Sequence, residues 1–162
     1  MIFCDGIVSR PYFGNRMKSK LLHEKDGLRT FALIFEKNEE VKEPLLRFAA
    51  ENGLAGAQVS AIGAFSEATL GYFSRETKSY RQIPVKGQVE VLSFTGNIVE
   101  KNGKPMLHAH VVVGKADGTA EGGHFLQGRV WPTLEMIISE IPVHLRRAYD
   151  EETGLALINL SV

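Results

Sequence analysis

Alternating apolar and polar residues make the stretch 107–125, LHAHVVVGKADGTAEGGHF, the part of the chain that most constrains the fold. A period of two residues predicts a β-strand with one buried face. Side chains two apart on a strand project from the same face, about 6 to 7 Å apart at the backbone. His108 and His110 are therefore close enough for both imidazoles to contact one metal ion.

A turn then sends the chain back beside this strand. Asp117-Gly118 is typical of a hairpin turn, and the antiparallel return carries Gly122-Gly123-His124. A strict two-residue loop would place His124 opposite Val111, so the third imidazole reaches His110 only through a bulge or a longer loop. The two glycines permit a bulge. The sequence thus predicts that three histidines converge if the register allows it.

Spacing alone leaves two interpretations of these histidines open. Histidine is the commonest metal ligand, and imidazoles suit zinc as well as nickel, copper and iron. Short histidine patterns also arise by chance, and a His-x-His strand can simply face water. His23 and His144 do not share the strand pattern, and we expect both to be ordinary surface or packing residues.

The composition is that of an ordinary globular chain of one domain's length. Its 162 residues are enough for a substantial core, and 44% are hydrophobic and 23% charged. The 19 basic residues balance 19 acidic ones, so the chain lacks the basic excess of proteins held to DNA mainly through phosphates. The single cysteine, Cys4, cannot form an internal disulfide, and no apolar run has the length of a membrane span. We therefore expect a cytoplasmic protein without a membrane anchor.

The first residues differ in pattern from the rest of the chain. Residues 1–16 show no sustained period, and the sequence restarts at Met17 with MKSKLLHEKDG. We expect 1–16 to be an extension outside the natural domain. We expect 17–162 to form a single domain, because no linker, repeat or low-complexity segment divides it.

Strand patterns dominate this domain, with one helix among them. Leu28 to Glu36 is rich in strand formers, and four strand-like pieces follow between positions 56 and 99. Between these, helical spacing predicts a helix capped by Asn38 and stopped by Gly53. Pro44 disfavours the helix interior, so we expect the regular helix to begin near Glu43 with Pro44 in its first turn. Three later features are predicted: a hairpin at Asn102-Gly103, a strand rather than a helix at 134–141, and a terminal strand at GLALINL.

Several other residues favour a structural interpretation over a functional one. Glu67 could be a buried acid beside the histidines, but a turn or edge carboxylate in water fits its position better. Gly63 and Gly71 interrupt strand patterns, which indicates bulges or close packing rather than room for a ligand. Arg146 and Arg147 precede three acidic residues, and we expect both on the surface.

Ordered blocks of the sequence resemble the PPC domain, also called DUF296, of stand-alone prokaryotic proteins and plant AT-hook nuclear proteins. The blocks are VSAIGAFSEATLGYF (59–73), GQVEVLSFTGNI (87–98), HAHVVVG (108–114) and GGHFLQG (122–128), followed by PTLEMI (132–137). The resemblance implies a compact α+β subunit, a mainly antiparallel sheet with one principal helix, that assembles as a homotrimer. It also implies a divalent metal site, with zinc the first expectation, on His108, His110 and His124.

Two classes of function follow from this resemblance. One is a binding or regulatory module, a metal-containing trimer that meets DNA or protein partners. The Arg-Gly-Arg core of an AT hook is absent from this sequence, and in the plant proteins that segment enters the minor groove. The other is a metal-dependent hydrolase or lyase acting on a small molecule, because three histidines leave the fourth zinc position open for water.

Overall fold

The structure, a computed structural model, describes residues 17–141 and 145–161. The predicted extension at 1–16 and His144 lie outside these residues. Eight strands and one helix succeed one another along the described chain: β1 (Lys18–Lys25), β2 (Leu28–Glu36), α1 (Lys42–Glu51), β3 (Gly56–Ser74), β4 (Ser79–Lys101), β5 (Lys104–Gly114), β6 (Ala120–Glu140), β7 (Arg146–Asp150) and β8 (Leu155–Asn159). The architecture is mostly β-sheet with one short helix, as predicted. At ten residues α1 cannot span a bilayer, and the described ranges contain no other helix that would.

All eight strands belong to one sheet, and four of them form a closed ring of pairings. β3 pairs with β4, β4 with β5, β5 with β6, and β6 returns to β3, each antiparallel. β2 pairs with the second half of β6 and carries β1 at the edge, while β7 and β8 join the sheet at β4. The ring brings β4, β5 and β6 side by side at the histidine stretch.

The core follows the period-two alternation of the strands. Phe125 of β6 packs against Phe65 of β3, with 6.1 Å between ring centroids, and against Phe94 of β4, at 4.8 Å. Helix α1 covers another part of the core, where the ring of Phe48 meets that of Phe31 edge-on at 5.2 Å. Each buried aromatic or aliphatic side chain contributes about 1.5–3 kcal/mol to folding. The opposite, outward face of the ring strands carries the polar residues discussed below.

The helix confirms the predicted bounds and corrects the predicted cap. It begins at Lys42, one residue before the predicted start near Glu43. The cap position is Val41 rather than Asn38, which lies three residues earlier, has a φ of +71° and donates its backbone N–H to the Val130 carbonyl of β6 (2.8 Å). Pro44 lies in the first turn as predicted, where its missing N–H would have had no helical partner. Gly53 follows the end of the helix with φ +63°, a left-handed conformation that glycine adopts without strain.

The strands are longer and more numerous than predicted. The four pieces between 56 and 99 merge into β3 and β4, because β-bulges near Gly63 and Phe65 bend the strands without ending them. The segment 134–141 and the GLALINL ending lie in β6 and β8, which confirms them as strands. β1 and β7 were not predicted; every residue of β1 is exposed, so it lacks the apolar alternation that marks a half-buried strand.

Candidate metal centre

The structure brings the three predicted histidines together. His108 and His110 project from the same face of β5, and their Nε2 atoms lie 3.3 Å apart. The ring of His124, on β6, lies 5.2 Å from that of His108 and 5.6 Å from that of His110, centroid to centroid. One potential ligand nitrogen from each residue lies within 4.8 Å of the other two. We call His108, His110 and His124 the histidine triad.

The length of the β5–β6 loop sets the register that aligns the triad. His110 pairs directly with His124, and five residues, 115–119, connect the two strands. The backbone N–H of Lys115 donates to the Thr119 carbonyl at 2.8 Å, and Asp117 Oδ1 accepts from the N–H and hydroxyl of Thr119. Of the two routes open from the sequence, the longer loop is therefore the one used; positions 110–114 pair with 120–124 without a bulge.

Tyr80 holds the third histidine in place, and sequence reasoning did not identify it. Its ring stacks on the imidazole of His124, with 4.5 Å between centroids and 28° between planes. Gly71 pairs with His124 across β3 and β6, and a Cβ at Gly71 would lie 2.8 Å from Tyr80 Cδ1. The glycine therefore makes room for the tyrosine ring, which confirms the prediction of close packing at Gly71.

The environment of the triad favours the neutral form of His108 and His124. Burial, with smaller contributions from His108, His110 and Lys42, lowers the pKa of His124 to about 4. Burial also lowers the pKa of His108, assisted by the charges of Arg147 and His110. Nδ1 of His124 is buried and has no hydrogen-bond partner among the described residues. Neutral imidazoles with free nitrogen atoms are the form that binds metal ions.

Arg147 is buried near His108 rather than on the surface, so the prediction for this residue was wrong. It is 7% exposed, and its guanidinium donates from Nη2 to Asn97 Oδ1 at 2.6 Å and from Nη1 to the Ala156 carbonyl at 2.8 Å. Alternate residues of β7 face opposite sides of the strand, so Arg146 points outward, 55% exposed, towards Glu100. The unpredicted strand β7 is the reason that only one arginine is a surface charge.

A cleft of about 420 Å³ opens beside the triad. Two of the histidines, His108 and His110, line it together with the polar side chains of Gln58 from β3 and Thr95 and Asn97 from β4. Gly96 and Ile141 complete the lining. Asn97 pairs with His108, and Thr95 with His110, so these polar side chains share the outward face of the sheet with the histidines. A larger depression of about 850 Å³ lies near the start of α1 and does not include the triad.

Comparison with known proteins identifies the family to which the chain belongs. A profile of the Plants and Prokaryotes Conserved (PCC) domain, the PPC domain of the resemblance, matches residues 22–142. The chain belongs to this family. A search among curated proteins gives no match.

Three solved structures share the PCC fold over most of this chain. A structure from Bacteroides thetaiotaomicron, titled a "putative dna binding protein", is 26% identical and has a TM-score of 0.83, over 91% of this chain and all of that one. A plant- and prokaryote-conserved protein from Pyrococcus horikoshii is 33% identical, with a TM-score of 0.76, over 81% of this chain and 91% of its own. A metal-containing protein from Archaeoglobus fulgidus is also 33% identical, with a TM-score of 0.74, over 85% and 95%.

Other predicted residues of this PCC domain lie away from the triad. The Glu67 carboxylate is 65% exposed, and one of its oxygens lies 3.3 Å from Arg129 Nε, which confirms an edge carboxylate rather than a buried acid. His23 is exposed on the edge strand β1 and does not join the triad. Gly63 permits close packing, since a Cβ there would lie 2.8 Å from the Cα of Leu134.

Proposed function

We propose that the protein is a cytoplasmic homotrimer in which each chain holds one divalent metal ion, zinc first, and that it acts as a binding or regulatory module. The observation that carries the metal proposal is the convergence of His108, His110 and His124 from two adjacent strands. The metal-containing relative from Archaeoglobus fulgidus supports it.

The residues present fit a zinc ion. Zinc bonds imidazole nitrogen at about 2.0–2.1 Å with tetrahedral geometry, which requires ligand nitrogens about 3.3–3.4 Å apart. The Nε2 atoms of His108 and His110 are 3.3 Å apart, and the buried Nδ1 of His124 lacks a protein partner among the described residues. A bound zinc would supply a Lewis-acid position open to a ligand or water.

A binding role fits the surroundings of the triad better than hydrolysis or elimination. Both reactions are usually accelerated by a general base within hydrogen-bond reach of the substrate. The described residues that line the cleft include no carboxylate, and the carboxylate considered from the sequence, Glu67, faces Arg129 instead. We therefore rank the binding module above the metal-dependent hydrolase or lyase.

The trimer proposal is supported by apolar side chains that remain exposed on the four ring strands. Isolated exposed apolar residues are normal, but a set on one sheet indicates an interaction surface. Every ring strand exposes at least one large hydrophobic residue: Ile62 (63%) and Tyr72 (62%) on β3, Leu92 (56%) on β4, Met106 (36%) and Val112 (41%) on β5, and Ile137 (41%) on β6.

We expect light scattering at micromolar concentration to give a mass three times that of one chain. Ile62→Lys should dissociate the trimer, because it places a charge in the proposed contact. Leu160→Lys is the matched control, since Leu160 is 83% exposed and lies outside the ring strands. A monomeric wild type, or an Ile62→Lys protein that remains as associated as wild type, would contradict the proposal.

A DNA partner is proposed from the name of the Bacteroides relative, and binding should be weak. With 19 basic and 19 acidic residues, the chain can neutralise few phosphates. We expect a dissociation constant of about 10⁻⁴–10⁻⁶ M for duplex DNA at physiological salt, as for nonspecific binding, and affinity that falls steeply with added salt. Fluorescence anisotropy across a salt series tests this. A nanomolar, sequence-specific complex at physiological salt would contradict the expectation of weak, nonspecific binding.

A further inference from the structure

The orientation of one amide beside the triad is fixed by its partner. A guanidinium only donates hydrogen bonds, so Arg147 Nη2, 2.6 Å from Asn97 Oδ1, holds the oxygen of that amide towards itself. The amide nitrogen of Asn97 therefore points the other way, and neither of its N–H groups has a hydrogen-bond acceptor within the described part of the chain. Asn97 lines the cleft and pairs with His108 in the ladder, so these two donors lie beside the triad.

The cleft offers hydrogen-bond donors and adjoins a positive charge, and its described lining carries no negative charge. Its described lining carries two amides, a hydroxyl and imidazoles, and no Asp or Glu. The guanidinium of Arg147 lies 2.6 Å from the amide oxygen of Asn97, which lines the cleft, so one positive charge adjoins the cleft. Two nearby carboxylates are already engaged: Glu140 is bound by Arg29 at 2.7 Å, and Glu100 faces Arg146. A divalent ion on the triad would add further positive charge, so the cleft favours an anion.

We propose that the cleft is a subsite for a small carboxylate. One carboxylate oxygen takes the open position of the metal ion, and the other accepts from the amide N–H groups of Asn97, while Gln58 and Thr95 bind the rest of the molecule. A cavity of about 420 Å³ lies within the usual range for small-molecule sites. This inference rests on the proposed function, because it names the ligand class that the metal site takes.

Calorimetric titration of the zinc-loaded trimer with succinate tests the subsite, with the uncharged succinamide as the matched probe. We expect succinate to bind at least about tenfold more tightly than succinamide, because a hydrogen bond to a charged group is the stronger one. Asn97→Asp should weaken succinate binding at least about tenfold and leave one zinc per chain. It keeps the shape of the side chain and its partner Arg147, but replaces the two donors with a negative charge.

Two further variants make the test decisive. Asn102→Asp introduces the same change in the β4–β5 turn, away from the cleft, and should leave succinate binding as in wild type. Thr95→Glu adds a negative charge at an exposed position of the cleft without touching Arg147, and should weaken succinate binding even if Asn97→Asp does not fold. Equal binding of succinate and succinamide, absence of succinate binding, or Thr95→Glu binding as wild type would overturn the subsite. Zinc content below one ion per chain, measured before succinate is added, would instead overturn the proposed function.

Discussion

Replacing His110 with alanine should abolish stoichiometric zinc binding. His110 is next to His108 on β5 and directly opposite His124 on β6, so it links the other two ligands. Loss of an outer-shell partner of a metal ligand typically costs about 10- to 100-fold in affinity, so loss of the ligand itself should cost at least about 100-fold. The measurement is competition with a chromogenic chelator, followed by elemental analysis of the dialysed protein.

His23→Ala is the matched control for this substitution. It removes an imidazole from the exposed edge strand β1, outside the triad, and should retain one zinc per chain. Equal zinc occupancy in His110→Ala and wild type, or no zinc in wild type after zinc addition, would lead us to abandon the site.

Gly96→Ala should strongly destabilise the strand pair that carries the histidines. Gly96 pairs with Ala109, and a Cβ at Gly96 would lie 2.6 Å from Ala109 Cα and closer still to the His108 carbonyl oxygen. These atoms are backbone, so β4 and β5 would have to separate. Overpacking typically costs about 1–3 kcal/mol where side chains can shift, and we expect at least about 3 kcal/mol here. This is a large part of the roughly 5–15 kcal/mol that stabilises an ordinary domain.

Urea unfolding of metal-free protein, at one protein concentration for all variants, measures this effect. Gly114→Ala is the control on the neighbouring strand, because the three atoms nearest to a Cβ there all belong to the side chain of Leu92, the first at 3.1 Å, and this side chain can move. We expect Gly114→Ala to lie within about 1 kcal/mol of wild type. A Gly96→Ala protein as stable as Gly114→Ala would show that the strands are not packed as described.

Local sequence patterns were sufficient where neighbouring residues decide the structure. The alternation around His108 and His110 places both side chains on one face of a strand whatever the rest of the chain does. Asn102-Gly103 forms the predicted hairpin, with positive φ at both residues, because that turn needs two residues that tolerate this conformation. Gly53 ends the helix for a similar local reason.

The remaining features depend on contacts between distant parts of the chain. The register of His124 is set by a five-residue loop, and the turn signal at Asp117-Gly118 fits loops of other lengths as well. Arg147 is buried because an amide fifty positions earlier in the sequence accepts its hydrogen bond. The stacking of Tyr80 on His124 requires that β3 lie between them without a side chain at Gly71, which the strand pattern indicates only as close packing.

Zinc K-edge X-ray absorption spectroscopy of the zinc-loaded wild type tests the central claim most directly. If the histidine triad holds the ion, the spectrum will show three imidazole nitrogens at about 2.0–2.1 Å and one further light-atom ligand. Fitting would then assign outer-shell ring scattering to three histidines, and His110→Ala would lose one of them or bind no zinc. A zinc shell without imidazole scattering, or one unchanged in His110→Ala, would contradict a metal centre on His108, His110 and His124.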